Sequence, residues 1–142
     1  MTALLCLCLL AADAEPEKKE DSSHVSGTAT VPADAASFKG RVLEIQLWKH
    51  DPRIADKKAD LVEKAEVKDF AHTKGKATEK AFSVGKKEKL DSAMSYYVTF
   101  FVLEKGERTH MGRIEGAKEP FNKVLTNGHP RKLKIVLDEV KR

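Results

Sequence analysis

Alternating apolar and polar positions dominate the chain from residue 24 onward, and they predict strands, because a period of two places alternate side chains on opposite faces. The clearest run, at 95–103, is rich in aromatic and β-branched residues that suit a pleated surface. Both of its faces are largely apolar, which predicts a central strand covered on each side. Similar runs occur at 25–31, 42–50, 61–70, 75–84, 109–115 and 133–138.

About seven short strands separated by turn signals are typical of an antiparallel β-sandwich. We therefore predict an all-β fold, with a single sandwich domain over 24–142. The apolar residues of 61–70 also fit helical spacing. The alternative is therefore an open sheet packed by one helix at that segment.

The run at 25–31 is followed by Pro32, which has no backbone N–H to donate to a neighbouring strand. This predicts an edge strand, which an extended segment of a partner would lengthen by β-augmentation. Val25, Thr28 and Val31 are accordingly candidate partner-binding residues.

Trp48 is a further candidate partner-binding residue, because it stands on the polar side of its strand, beside Lys49 and His50. Either the second face of the strand is buried too, or Trp48 is exposed for contact with a partner or a glycan. We favour burial, because tryptophan is highly buried on average. Tyr96 is a candidate corner tyrosine, whose hydroxyl ties down the preceding loop.

The first fourteen residues are expected to be a signal peptide. The apolar run from Ala3 to Ala12 is shorter than the roughly 20 residues that cross a hydrocarbon core, and small residues at 12–14 suit signal peptidase. Residues 15–23 are charged and polar, which predicts a flexible linker. We expect an exported protein, periplasmic or secreted.

Both cysteines, Cys6 and Cys8, fall within this predicted signal peptide. Each follows a leucine, whereas lipid attachment needs a small residue before the cysteine, so we expect no lipid anchor. A mature chain without cysteine has no disulfide and no thiol chemistry.

The charge balance is modest: 26 Lys and Arg face 22 Asp and Glu, for a net charge of +4 over 142 residues. The basic residues are spread thinly and interrupted by acids. This predicts weak contact with anionic surfaces and no specific binding of nucleic acid. After signal cleavage no transmembrane segment is expected.

The candidate chemistry points away from catalysis. The five histidines (His24, His50, His72, His110 and His129) lack the close spacing of metal ligands. The serines at 83, 92 and 95 lack the glycine-flanked turn of hydrolase nucleophiles, and the eight glycines form no phosphate loop. We predict no catalytic, cofactor or metal site, although a loop-borne carboxylate pair remains the alternative.

Short motifs resemble a known family. They are Val25-Ser-Gly-Thr-Ala-Thr-Val31 followed by Val42-Leu-Glu-Ile-Gln-Leu47, then Tyr96-Tyr-Val-Thr-Phe-Phe-Val102, then Val124-Leu-Thr-Asn-Gly-His-Pro130 before a hydrophobic strand. Together they are similar to the pilotin-like periplasmic β-sandwich proteins, the type III secretion lipoprotein chaperone family. The resemblance implies an envelope-located β-sandwich that binds or escorts a protein partner without catalysis.

The sequence thus predicts an exported, non-catalytic binding module whose partner is a protein of the cell envelope. Two alternatives remain from other classes. One is a small secreted hydrolase or sugar-active enzyme with a loop-borne carboxylate site. The other is a basic module that adheres to an anionic polymer or a membrane surface.

Overall fold

The computed structural model describes residues 22–118 and 121–141, and within these ranges it contains eight strands and no helix. The all-β prediction is confirmed, and the ambiguous segment 61–70 is a strand. The predicted signal peptide, 1–14, lies outside the described residues, as does most of the predicted linker. The strands are β1 (Val25–Val31), β2 (Phe38–His50), β3 (Asp60–His72), β4 (Thr78–Val84), β5 (Ser95–Glu104), β6 (Glu107–Ile114), β7 (Asn122–Val124) and β8 (Lys132–Glu139).

All strands belong to one sheet, in the order β3-β2-β5-β6-β8-β1-β4, with β7 pairing with β5 beyond the end of β6. Neighbouring strands are antiparallel except β1 and β8, which run parallel. The sheet curls into a nearly closed barrel around the core, with β3 and β4 as its edges. A hydrogen bond from the Gly85 amide to the Glu63 carboxylate joins the two edge regions.

The predicted edge at β1 is wrong, because β1 pairs with β4 on one side and with β8 on the other. Val25 and Val31 are 0 % exposed and belong to the core, while Thr28 lies on the outer face in a shallow groove. Pro32 follows the last residue of the strand, so its missing N–H interrupts no pairing. The strand offers no free backbone to a partner.

β5 is a central strand, since it pairs with β2, β6 and β7. The predicted cover on both of its faces is not found, because Tyr97 and Leu103 on the outer face are only half-buried. The corner role of Tyr96 is confirmed, because its hydroxyl accepts a hydrogen bond from the Asp91 amide at 3.0 Å.

Gly112 of β6 lies between side chains of the neighbouring strands β5 and β8: a Cβ there would lie 2.5 Å from the Phe100 Cβ and 2.7 Å from the Ile135 Cγ2. Close packing of strands therefore explains this glycine.

Asn122 joins three strands where the partner of β5 changes from β6 to β7. The side chain is 1 % exposed. Its Nδ2 donates to the carbonyl oxygens of Val98 (2.9 Å) and Gly112 (3.1 Å), and its Oδ1 accepts from the Ile114 amide at 2.9 Å. One side chain thereby satisfies backbone groups that the change of partner would leave unpaired.

Replacing Asn122 with leucine keeps a side chain of similar volume and removes all of these bonds. We expect Asn122→Leu to lower the free energy of unfolding by about 3 kcal/mol or more, because buried backbone groups lose their partners. Urea unfolding followed by circular dichroism measures this loss. The neighbouring exposed substitution Lys123→Gln is the control and should stay within about 0.5 kcal/mol of wild type. Equal stability of both variants would contradict the role of Asn122.

Two buried histidines lie at one end of the barrel around Phe38. His72 and His110 are 3 % and 4 % exposed, and their ring centroids lie 5.9 Å and 5.2 Å from that of Phe38. Burial lowers the pKa of His110 below its ordinary value of 6.5, the positive charge of Arg41 adds to this, and the carboxylate of Glu139 opposes it. His110 therefore stays neutral to a lower pH in the folded protein than in the unfolded chain.

The lowered pKa of His110 makes stability depend on pH. His110 takes up a proton near pH 6.5 in the unfolded chain, but only at lower pH in the folded chain. Its contribution to the free energy of unfolding is therefore complete above pH 6.5 and is lost as the pH falls below that value. We expect the free energy of unfolding to fall from about pH 7 to about 5.5, above the range in which carboxylates titrate. Denaturant midpoints across this range should fall less steeply for His110→Gln, while the exposed His129→Gln keeps the wild-type slope. Equal slopes for all would exclude His110 as the cause.

Candidate functional site

A row of large apolar side chains crosses the outer face of the sheet from β3 to β7. Trp48 of β2 lies opposite Leu61 of β3 on one side and opposite Tyr97 of β5 on the other. Phe121, just before β7, completes the row against Tyr97. Leu61 is 46 % exposed and Phe121 is 60 % exposed. We call Leu61, Trp48, Tyr97 and Phe121 the apolar row.

Ring contacts fix the geometry of the apolar row. The Trp48 and Tyr97 rings stack at a centroid distance of 6.4 Å and 12° between their planes, and Tyr97 meets Phe121 edge-on at 5.8 Å. The Trp48 indole N–H donates to the Thr99 hydroxyl at 3.4 Å. Burial raises the pKa of Tyr97 above its usual 10, which keeps the phenol neutral. Trp48 is half-buried rather than fully buried, because stacking covers one face of its indole.

A cleft of ≈ 390 Å³ opens beside the row, and we call it the Tyr97 cleft. Rings of Tyr97 and Phe121 form apolar parts of its wall. The described lining residues include one lysine and two histidines but no aspartate or glutamate. The lining residues are His50, Ser95, Tyr96, Tyr97, Phe121, Lys123, Thr126, Asn127 and His129.

A tight turn between β7 and β8 carries part of the cleft wall. The amide of His129 donates to the Thr126 carbonyl at 3.1 Å, and that of Leu125 donates to the Pro130 carbonyl at 3.3 Å. Leu125 and Asn127 have φ of 71° and 56°, in the left-handed region that a leucine rarely adopts. A residue held there costs about 1–3 kcal/mol, and such strain clusters at binding sites. The turn places Thr126 against the cleft.

The arrangement suits binding through ring stacking, apolar contact and attraction of an anion. Within residues 22–118 and 121–141, no group of three or more His, Asp or Glu side chains is placed to hold a metal ion. The same ranges contain no helix with the length and apolar character needed to span a bilayer.

Of the candidate partner-binding residues from sequence, only Trp48 belongs to this site. Val25 and Val31 lie in the core, and Thr28 lines a separate groove on the outer face of β1. Sequence reasoning missed Phe121 and Thr126. The available signal was an aromatic residue standing among polar and turn residues, which a buried position would not explain.

The fold is similar to that of an alternative pilotin from the type II secretion system of Vibrio cholerae, with a TM-score of 0.55. The fold is pilotin-like. Sequence identity is 14 %, and the match covers 85 % of this chain and 99 % of that one. A scan of protein-family models and a search of curated proteins find no match. The pilotin-like resemblance inferred from sequence is therefore confirmed as a fold, whereas its assignment to the type III secretion family is not supported.

The stacked pair predicts an optical signal, because Trp48 is the only tryptophan of the chain. Replacing Tyr97 with leucine removes its ring contacts with Trp48 and Phe121, so the indole becomes more hydrated. We expect a red shift of the fluorescence maximum and a loss of about 1–2 kcal/mol of stability. Met111→Leu, at an exposed position of β6, is the control and should leave the emission maximum in place. An unshifted maximum in Tyr97→Leu would argue against the stacked geometry.

Proposed function

We propose that this chain is a non-catalytic, envelope-located module that binds a segment of a protein partner on the apolar row. The observation that carries the proposal is the exposure of Leu61 and Phe121 beside the stacked Trp48 and Tyr97. Contiguous exposed apolar surface marks an interaction site, and aromatic side chains are enriched in interfaces. The pilotin-like fold and the predicted export signal support the envelope location.

The barrel edges are poorer docking places than the apolar row. On β3, Lys64 forms ion pairs with Glu44 at 3.3 Å and Glu66 at 2.9 Å, so charge covers the outer side of this edge. On β4, Lys80 pairs with Ala29 of β1, and its side chain is exposed at this edge of the sheet. Charges placed at edge strands discourage strand addition. Side-chain docking on the sheet face is therefore favoured over β-augmentation.

The same surface favours binding over sugar chemistry. Glycoside hydrolysis needs a pair of carboxylates flanking the bond that breaks. The described wall of the Tyr97 cleft has none, and its charged side chain is Lys123. The cleft therefore lacks the acid and the nucleophile that the hydrolase alternative requires.

The test uses the tagged full chain expressed in its own host. In the double variant Leu61→Ser with Phe121→Ser, both positions are exposed, so each change should alter stability by only about 0.5 kcal/mol. We expect the retained envelope partner to fall by roughly tenfold or more, because apolar anchors carry most of the binding energy. The partner should also cross-link to a photoreactive amino acid at position 61.

The matched control is Met111→Ser with Val140→Ser, which removes apolar side chains that are 40 % and 39 % exposed outside the row. This control should retain the partner at the wild-type level and should not cross-link from position 111. Equal retention by the two double variants would overturn docking on the apolar row.

A further inference from the structure

Two residues of the Tyr97 cleft each carry a buried polar atom without a hydrogen-bond partner among the described residues. Thr126 is 7 % exposed, and its Oγ1 has no hydrogen-bond partner among the described residues; the same holds for the buried Nδ1 of His50. Buried polar groups are almost always hydrogen-bonded, because leaving one unpaired costs free energy. Both residues line the same cleft. This coincidence points to a ligand whose polar group completes them.

The charge of the cleft indicates the sign of that ligand. Lys123 and His129 belong to the wall, and no carboxylate of the described residues does. The acid next to His50 in sequence is Asp51, whose carboxylate is held by the Arg53 guanidinium at 2.7 Å. That hydrogen-bonded pairing lowers the pKa of Asp51 to about 2. Among the described lining residues the fixed charge is the positive one of Lys123, and it attracts a negative group.

The walls indicate what the negative group is attached to. The Tyr97 and Phe121 rings meet edge-on at 5.8 Å and supply apolar surface to the cleft that also holds its polar atoms. Its volume of ≈ 390 Å³ lies at the small end of ligand sites, which suits a side chain or a chain end rather than a large cofactor.

We propose that the Tyr97 cleft is a carboxylate-binding subsite for the partner segment: the carboxylate takes hydrogen bonds from Thr126 and His50, while an adjacent apolar group packs on Tyr97 and Phe121. Lys123 supplies the compensating charge at the rim. This inference rests on the proposed function, since it names the chemistry of the segment that docks there. The carboxylate comes from an acidic side chain or from a chain terminus.

Small peptides test the inference, with Trp48 fluorescence and the amide NMR signal of Thr126 as readouts. N-acetylphenylalanine carries a terminal carboxylate, N-acetylphenylalanine amide carries none, and N-acetyl-glutamyl-phenylalanine amide carries a side-chain carboxylate. We expect one or both acids to bind at least about fivefold more tightly than the neutral amide, with the difference shrinking as salt is added. Which acid binds identifies the source of the carboxylate.

Thr126→Val separates a binding role from a structural one. Exchanging an unpaired hydroxyl for a methyl of the same shape should leave the melting temperature unchanged or higher, while carboxylate affinity falls roughly tenfold. Lys123→Gln, at the rim of the cleft, should lower the affinity for the carboxylate probe by roughly threefold. Lys134→Gln on the outer face of β8 is the charge-matched control and should bind as wild type does.

The outcomes distinguish this inference from the proposed function. The subsite is overturned if wild type binds the acid and amide probes with equal affinity, or if Thr126→Val binds the acid probe as tightly as wild type does. Either result leaves the proposal of docking on the apolar row intact. If the Leu61→Ser, Phe121→Ser protein keeps its partner while wild type still prefers the acid probes, the proposed function fails and the carboxylate preference of the cleft stands.

Discussion

The hydrogen bonds of Asn122 are the constraint on which the rest of the structure depends. β5 lies in the middle of the sheet, yet β6 pairs with only part of its length. A buried amide that both donates and accepts completes this side of the strand and anchors β7. Phe121 and the strained turn at 125–127 flank β7 directly, so a core hydrogen-bond network also positions the surface that we assign to binding.

Period-two alternation predicted the strands well because the barrel has one buried face. In runs such as 95–103 the alternation of side chains can be read from neighbouring residues of the sequence alone. The short β7 carries no such signal, because it has only three residues and one of its two buried positions is the polar Asn122. The error at β1 has a related cause: Pro32 shows where the strand ends but not which strands lie beside it, and the pairing with β8 is set by residues distant in sequence.

The candidate site was harder to predict than the fold, because outward-facing positions obey no burial rule. Trp48 stood out as a large aromatic on a polar face, but its stacking on Tyr97 depends on the register between β2 and β5. The role of Thr126 depends on an absence of partners, which only three-dimensional packing reveals. Sequence thus identifies unusual residues, whereas tertiary pairing places Trp48 against Tyr97 and Thr126 in the cleft that Tyr97 lines.

The parallel pairing of β1 with β8 makes formation of the barrel a late event. The first strand of the described chain lies between β4 and β8, and β8 is the last strand. Bringing β1 and β8 together closes a long loop, and this costs chain entropy before the contacts between the strands stabilise the fold. Folding is therefore slow for topologies of this kind. β1 therefore gains its second neighbour only when β8, the last described strand, is available to pair with it.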